Sequence, residues 1–404
     1  MKILIVDQFL PYPPADGGAL RVFNLLKQVS QYHEVSFLTL VNGSEEDRVN
    51  ADYLRQYCRV ELVVRQFPSI QEHRRRQVRA ILRREPMRNL IEYSEELAVK
   101  IRSLTERENF DIIDIQRPIS APYIHAISLT KRCRKILTMY DVPYVQYHRI
   151  MSSERNWNVK RRVFMKDWLF SKQAIVRYGR LFDKCVLVSQ SDRDILKKAA
   201  PDLDIAVIPN GVDVGGYSLL AESSSPIPTL LFVGKMNYAP NVDGALFFCE
   251  EILPLIKQQV SDIRMLIVGQ QPKSSIKALV SENVIVTGFV ESVIPYYQQA
   301  IVSVVPLRSG GGTRLKILES MALGRPVVST TLGCEGLRVT HEENILIADT
   351  PEEFARQTIR LLRDDQLRQC LIQNGRRLVE STYDWEAIAQ QMLQIYDEAL
   401  INNY

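Results

Sequence analysis

The chain of 404 residues is poor in the side chains that metal, redox or disulfide chemistry needs. None of its five histidines is paired at ligand spacing. Its six cysteines (Cys58, Cys133, Cys185, Cys249, Cys334, Cys370) stand apart, with no CxxC. That scatter argues against a zinc ribbon or a disulfide framework and suits reduced thiols in a cytosol, so no metal site is expected. No apolar run reaches the roughly 18 residues of a membrane-spanning helix. The opening MKILIVDQFLPYPP carries one lysine and no small-residue cleavage site, and it reads as a first buried strand, not a signal peptide. Two phosphate signatures are missing too: no GxGxxG follows the first strand, and no GxxxxGK[ST] occurs. The second run, EVSFLTLVNG, does not end in the acidic residue that a dinucleotide's ribose would require.

What is present is an α/β rhythm in two halves. A chain of this length exceeds one ordinary core, and two domains of about 200 residues are expected. At 46% apolar and 24% charged, the composition is that of a globular protein. Short runs apolar throughout recur in the first half: KILIV (2–6), EVSFLTL (34–40), VELVV (60–64), IIDIQ (112–116), KILTM (135–139) and KCVLV (184–188). The second half repeats them as LLFVG (230–234), RMLIVG (264–269), VIVTG (284–288), IVSVVP (301–306) and PVVST (326–330). Runs without alternation imply strands covered on both faces, hence parallel sheets. The Gly-, Ser- and Pro-rich stretch 208–228 is the linker candidate. The expected fold is two Rossmann-like, doubly wound parallel-sheet domains, 1–208 and 209–383. The segment 384–404 holds a closing amphipathic helix, with Trp385, Ile388, Met392, Tyr396 and Ala399 on one face and Asp384 as its cap.

A net charge of +4 conceals an imbalance. Residues 1–208 hold 35 Lys+Arg against 25 Asp+Glu, a balance of +10; the remainder holds 16 against 22, a balance of −6. The excess concentrates in HRRRQVRAILRREP (73–86) and KRRVFMK (160–166). Two readings stand: an anionic partner such as a membrane surface, or a solvated arginine-rich helical face. Aromatics do not interleave with the arginines, which argues against single-stranded nucleic acid.

The stretch SGGGTRLKILES (309–320) combines three consecutive glycines, costly to order, with Arg314 and Lys316 at a helix start. The helix dipole disfavours cations there, unless an anion occupies the site. The run follows the strand IVSVVP, so Gly310, Gly311 and Gly312 stand at a strand's carboxyl end before a helix N-terminus. Bare amides there, with the dipole behind them, make an anion site. A second such turn follows the first strand, where prolines open a loop, Gly17 and Gly18 end it, and Arg21 is expected in the helix's first turn.

These stretches resemble family 4 glycosyltransferases. The match runs through FVGKMNYAPNVDGALFFCEEILPLI, RMLIVGQQP, VIVTGFV, GGGTRLKILESMALGRPVVST, CEGL and YDWEAIAQQMLQIY, with IPNGVD and KILIVDQFLPYPPADGG upstream. The resemblance implies a GT-B fold, with two such domains facing a central cleft and the last helix returning to the N-terminal domain. It also implies transfer of a sugar from a nucleotide diphosphate-sugar with retained configuration, and without a metal or other cofactor. In the family's E-x7-E motif, Glu319 matches the second glutamate, which holds the ribose; Gly311 stands where the first should be. Lys235 matches one diphosphate-binding cation and Pro240 replaces the other, so Arg314 and Lys316 are the expected substitutes. Gly288, Phe289 and Val290 match the turn that meets the base, and Gly312, Thr313 and Leu315 fall within the donor loop. On the acceptor side Gln116 and Pro143 replace two usual histidines, while Asp141 is kept and His148 is the compensating candidate. The resemblance thus makes Lys235, Arg314, Gln116 and His148 the catalytic candidates.

Three functions fit this reading. The first is a transferase using a nucleotide-sugar donor and a glycan, lipid-linked or small-molecule acceptor. It would be cytoplasmic, with its basic half at the inner face of a membrane and no nucleic-acid partner. The second is a nucleotide-sugar 2-epimerase of the same fold; the third is a non-catalytic nucleotide-sugar-binding subunit.

Overall fold

A computed structural model describes the chain except residues 15, 129–132, 141, 143, 145–158, 222, 224, 311–313 and 402–404, together with the side chains of 159–167. It divides into two compact units, Met1–Asn210 with Ile388–Tyr404, and Gly211–Ala387. The dividing points lie two residues past the expected 208 and four past 384.

In the first unit seven strands among the described residues form one parallel sheet: β1 (Lys2–Asp7), β2 (Glu34–Val41), β3 (Arg59–Val64), β4 (Ile112–Gln116), β5 (Arg134–Met139), β6 (Lys184–Leu187) and β7 (Ile205–Val207). Their order is β3-β2-β1-β4-β5-β6-β7, so the chain reverses direction of growth between β1 and β4. Ile3, Leu4, Val6, Phe37, Leu38, Ile113, Ile115, Leu137 and Leu187 are buried, as strands sandwiched between helices require. Lys2 sits at the start of β1 and meets Glu34 and Glu108 at the amino ends of the central strands.

The second unit repeats the plan with β8 (Thr229–Val233), β9 (Arg264–Val268), β10 (Val284–Val286), β11 (Val302–Val305), β12 (Val327–Ser329) and β13 (Leu346–Ile347). Their order is β10-β9-β8-β11-β12-β13, all parallel, with the reversal between β8 and β11. In each unit the reversal point opens at the strands' carboxyl ends, where sheets of this kind bind ligands.

The last helix, Trp385–Ile401, buries Trp385, Ile388, Met392, Tyr396 and Ala399, as its periodicity predicts. Asp384 accepts instead from the Val214 amide at 3.2 Å. From Ile388 onward the helix belongs to the first unit, where the Tyr396 hydroxyl donates to Asp114 Oδ2 at 2.7 Å.

Candidate functional site

In the second unit, β8 and β9 each end in a residue followed at once by glycine. The Gly234 amide donates to Val268 O at 2.9 Å, and a Cβ built on Gly269 would fall 1.7 Å from Gly234 O. No side chain fits between these two strand ends. A Cβ on Gly234 would likewise stand 2.9 Å from Lys316 Nζ, so this bare backbone also makes room for the lysine.

Lys316 reaches that point from the first turn of the Leu315–Ala322 helix, which follows β11. Its Nζ donates to Asn241 Oδ1 at 2.8 Å and lies 4.3 Å from the Phe232 ring centroid; Asn241 donates onward to Lys235 O at 3.0 Å. Burial first, and Arg314 second, pull the Lys316 ammonium down to about 7, against Glu319. Glu319, one turn on and half-buried, is pushed up to about 7 by burial, with Lys316 opposing. Among the described residues no ion pair joins them. Lys235 is exposed, its ammonium without a partner among the described residues. Lys316 therefore stands at the end of β8, with Glu319 one turn along its helix and the backbone of Lys235 joined to it through Asn241.

Arg314 departs from the expected picture of a cation waiting for an anion. It is 5% exposed, its Nη2 donates to Leu332 O at 3.3 Å, and its Nη1 stands 3.3 Å from where a Gly310 Cβ would be. It is the residue preceding the helix, not one inside the first turn. Gly310 takes a φ of +109° and packs on Pro240, the residue in place of the second family cation. Gly311, Gly312 and Thr313 lie outside the described residues. Leu315 packs on the core. Gly288 takes a φ of +76° with nothing near its missing side chain, Phe289 beside it is 74% exposed, and Val290 packs against the Leu266–Tyr297 cluster.

In the first unit the Gly17–Val29 helix is capped by Asp16, whose Oδ1 accepts from Ala19 N at 2.9 Å. The Gly17 and Gly18 amides have no acceptor among the described residues. Arg21 is not the cation expected there. It sits in the second turn at 0% exposure, on the face with Val22 and Leu25, and its Nη1 donates to Pro209 O and Asn210 Oδ1 at 2.7 and 3.0 Å.

The cation that stands beside the Gly17–Gly18 turn is Arg117, which the sequence around that turn does not reveal. It follows β4 with a φ of 73°, and a Cβ on Gly18 would lie 3.0 Å from its Nη1. Its Nε donates to both oxygens of Asp7 at 3.0 and 3.1 Å, and its guanidinium stands 4.8 Å from the Phe9 ring centroid and 5.1 Å from that of Tyr140. Burial lifts Asp7 to about 6 although Arg117 opposes it. The available signal was a carboxylate ending β1 and an arginine just after β4, two neighbouring strand ends of opposite charge. Gln116 is 5% exposed and its Oε1 accepts from the Tyr140 hydroxyl at 2.7 Å. Asp141, Pro143 and His148 lie outside the described residues.

Two family models match this chain: Glycosyltransferase Family 4 over residues 16–215 and Glycosyl transferases group 1 over residues 227–364. The chain belongs to the family 4 glycosyltransferases. This glycosyltransferase is 22% identical over 405 residues to an uncharacterized 44.6 kDa protein in the cps region of Klebsiella pneumoniae, across 95% of this chain and 96% of that one. Among solved structures it resembles sucrose-phosphate synthase from Thermosynechococcus elongatus (TM-score 0.69, 19% identity, 100% of both chains). It also resembles Anabaena HepE in complex with UDP-glucose (TM-score 0.66, 16% identity, 98% of this chain and 100% of that chain). With two parallel-sheet units, these likenesses make the fold GT-B.

Proposed function

We propose that this glycosyltransferase moves a hexose from a nucleotide diphosphate-sugar to a glycan or lipid-linked acceptor of cell-envelope polysaccharide, with retention of configuration and without a metal or cofactor. The observation that carries it is Lys316, held by Asn241 at the bare ends of β8 and β9, with Glu319 one turn along the same helix. A diphosphate needs cations in a partly desolvated setting, and Lys316 gains most by meeting one, since an anion would return the proton that burial removes. Glu319 is suited to accept two ribose hydroxyls.

In this reading the bond from the sugar's anomeric carbon to the β-phosphate breaks and a bond to the acceptor oxygen forms. The leaving diphosphate takes the acceptor's proton, and Lys316 stabilises its growing charge. Within the first unit, Arg117 stands beside the Gly17–Gly18 helix start, a cation at a turn of the same kind. The cps-region relative supports an envelope polysaccharide as the product, and the enzyme would work at the cytoplasmic face of the membrane.

One observation favours the non-catalytic reading: the Gln116 oxygen is already occupied by Tyr140. A single experiment separates the readings. The purified protein is incubated with nucleotide sugars, UDP-glucose first, because structural neighbours were solved with it. Slow release of nucleoside diphosphate without an epimer is expected. An epimerised donor, or saturable binding with no turnover after acceptors are added, overturns the proposal.

A further inference from the structure

The helix Ile70–Arg83 is mostly solvated, and what it exposes is not what water favours. Ser69 caps it at Glu72 N, and Ala80 is its one buried residue. At 100° per residue, Ile70, Ile81, Val78 and Leu82 share a sector of about 120° pointing away from Ala80. Their exposures are 77%, 54%, 58% and 77%, and Phe67, just upstream, is 75% exposed. Arg75, Arg79 and Arg83 fill the adjoining sector, and Arg74 projects from within the apolar one. Arg76 does something else. It pairs with Glu72 and donates to the carbonyls of Leu90, Ile91 and Tyr93, tying the helix to the chain beneath it. Glu72, the acid of residues 70–84, is thereby neutralised. Arg74, Arg75, Arg79, Arg83 and Arg84 have no ion-pair partner among the described residues.

Single exposed aliphatic side chains are ordinary, but four of them in one helical sector, interrupted only by Gln71 and Arg74 and flanked by a run of guanidinium groups without ion-pair partners among the described residues, make a surface built to be covered. Charge and shape together select its occupant. A bilayer of anionic phospholipid offers hydrocarbon to the aliphatic sector and phosphates to the arginines alongside, the arrangement of an interfacial helix. Nucleic acid would leave Ile70, Val78, Ile81 and Leu82 in water.

We propose that the Ile70–Arg83 helix is the membrane anchor of this enzyme, lying flat at an anionic lipid surface with Phe67, Ile70, Val78, Ile81 and Leu82 inserted and Arg75, Arg79 and Arg83 on the headgroups. This rests on the reading of the basic half as membrane-facing and assigns that contact to one element.

The test is sedimentation of the full-length protein with phosphatidylglycerol-containing vesicles and with phosphatidylcholine vesicles. Wild type should sediment with the first and detach as salt rises. Replacing Arg75, Arg79 and Arg83 by glutamine should weaken partitioning on the order of a hundredfold. The pair Ile70→Gln and Leu82→Gln should cost tenfold or more at constant charge. Both variants should melt like wild type, because every altered side chain is exposed. Variants that sediment like wild type overturn the helix assignment and leave a membrane contact elsewhere. Wild type that ignores both vesicles sinks the membrane reading as well. So does self-association or RNA binding, without vesicle binding, that the same substitutions abolish. Nucleoside diphosphate release from UDP-glucose without vesicles, measured in parallel, reports on the transferase reading separately.

Discussion

Lys316 and Glu319 are each held near neutrality by burial, and this makes the unliganded site sensitive to pH in both directions. Unfolded, they would titrate at their ordinary 10.5 and 4.5; folded, both stand at about 7. Between pH 4.5 and 7 the folded chain keeps a proton on Glu319 that the unfolded chain releases, so this contribution to stability falls as pH rises. Between pH 7 and 10.5 the unfolded chain keeps a proton on Lys316 that the folded chain has lost, so stability rises again. The pair therefore weakens the apo protein most near pH 7. Glu319→Gln should flatten the acid limb and Lys316→Met the alkaline limb in denaturant titrations at pH 5, 7 and 9. Glu319→Gln should also weaken donor binding by about 1.5–3 kcal/mol, the scale of a hydrogen bond to a charged group. Donor binding at pH 7.5 should take up protons as Lys316 recharges, seen as a calorimetric enthalpy that varies with the buffer's ionisation heat. Equal enthalpies in all buffers would remove Lys316 from the diphosphate.

Arg314 needs a different expectation from its neighbour. On the dipole argument alone it is a liability at a helix start, and its loss should leave the apo protein as stable or more so. Bound to Leu332 O at 5% exposure, it is part of the loop's support. Arg314→Ala should lower apo stability by about 1–3 kcal/mol, read by thermal or urea unfolding, whatever it does to the donor. An unchanged midpoint would return Arg314 to the role of waiting cation.

At the scale of elements, the strands that announced themselves were those covered on both faces, such as KILIV and VSVV, where nothing polar interrupts the run. β7 (Ile205–Val207) and β13 (Leu346–Ile347) escaped notice because edge strands of three and two residues are too short to make a pattern. The glycines and cations of 309–320 stand out in the sequence because they lie within a dozen residues of each other. The pairing of Asp7 with Arg117 does not, because 110 residues separate them and only the β1–β4 neighbourhood unites them. Arg21 was misread for a related reason: four residues beyond Gly17 its position turns onto the helix's buried face, which a charge alone does not reveal. Where two elements meet as closely as β8 and β9 do, one methyl group should matter. Gly269→Ala would put a carbon 1.7 Å from Gly234 O, and backbone must move. A loss of about 3 kcal/mol or more is expected, the scale of strain at a special backbone position. Donor binding should weaken with it, because Gly234 borders Lys316. A variant that melts like wild type would mean that the two strand ends are free to part.

For the molecule as a whole, the last helix begins in one unit and continues in the other, so its anchorage decides whether residues 388–401 hold. Most of that anchorage is apolar burial, but one polar contact is deep in the first sheet: Tyr396 donates to Asp114, which also accepts from Thr138 Oγ1 at 2.8 Å. Burial lifts Asp114 to about 6, with Tyr396, Thr138 and Arg21 all opposing. Its folded value lies above the ordinary 3.8, so its contribution to stability falls as pH rises through 3.8 to 6, and the cost is complete above that window. Tyr396→Phe removes a donor to the carboxylate and leaves the apolar packing in place. It should therefore cost about 1–3 kcal/mol at pH 8 and less at pH 5, where a proton on Asp114 replaces part of what the hydroxyl gave. Urea unfolding at the two pH values measures this. A loss independent of pH would mean that Tyr396 acts through packing alone, and that the carboxylate beneath the helix is satisfied without it.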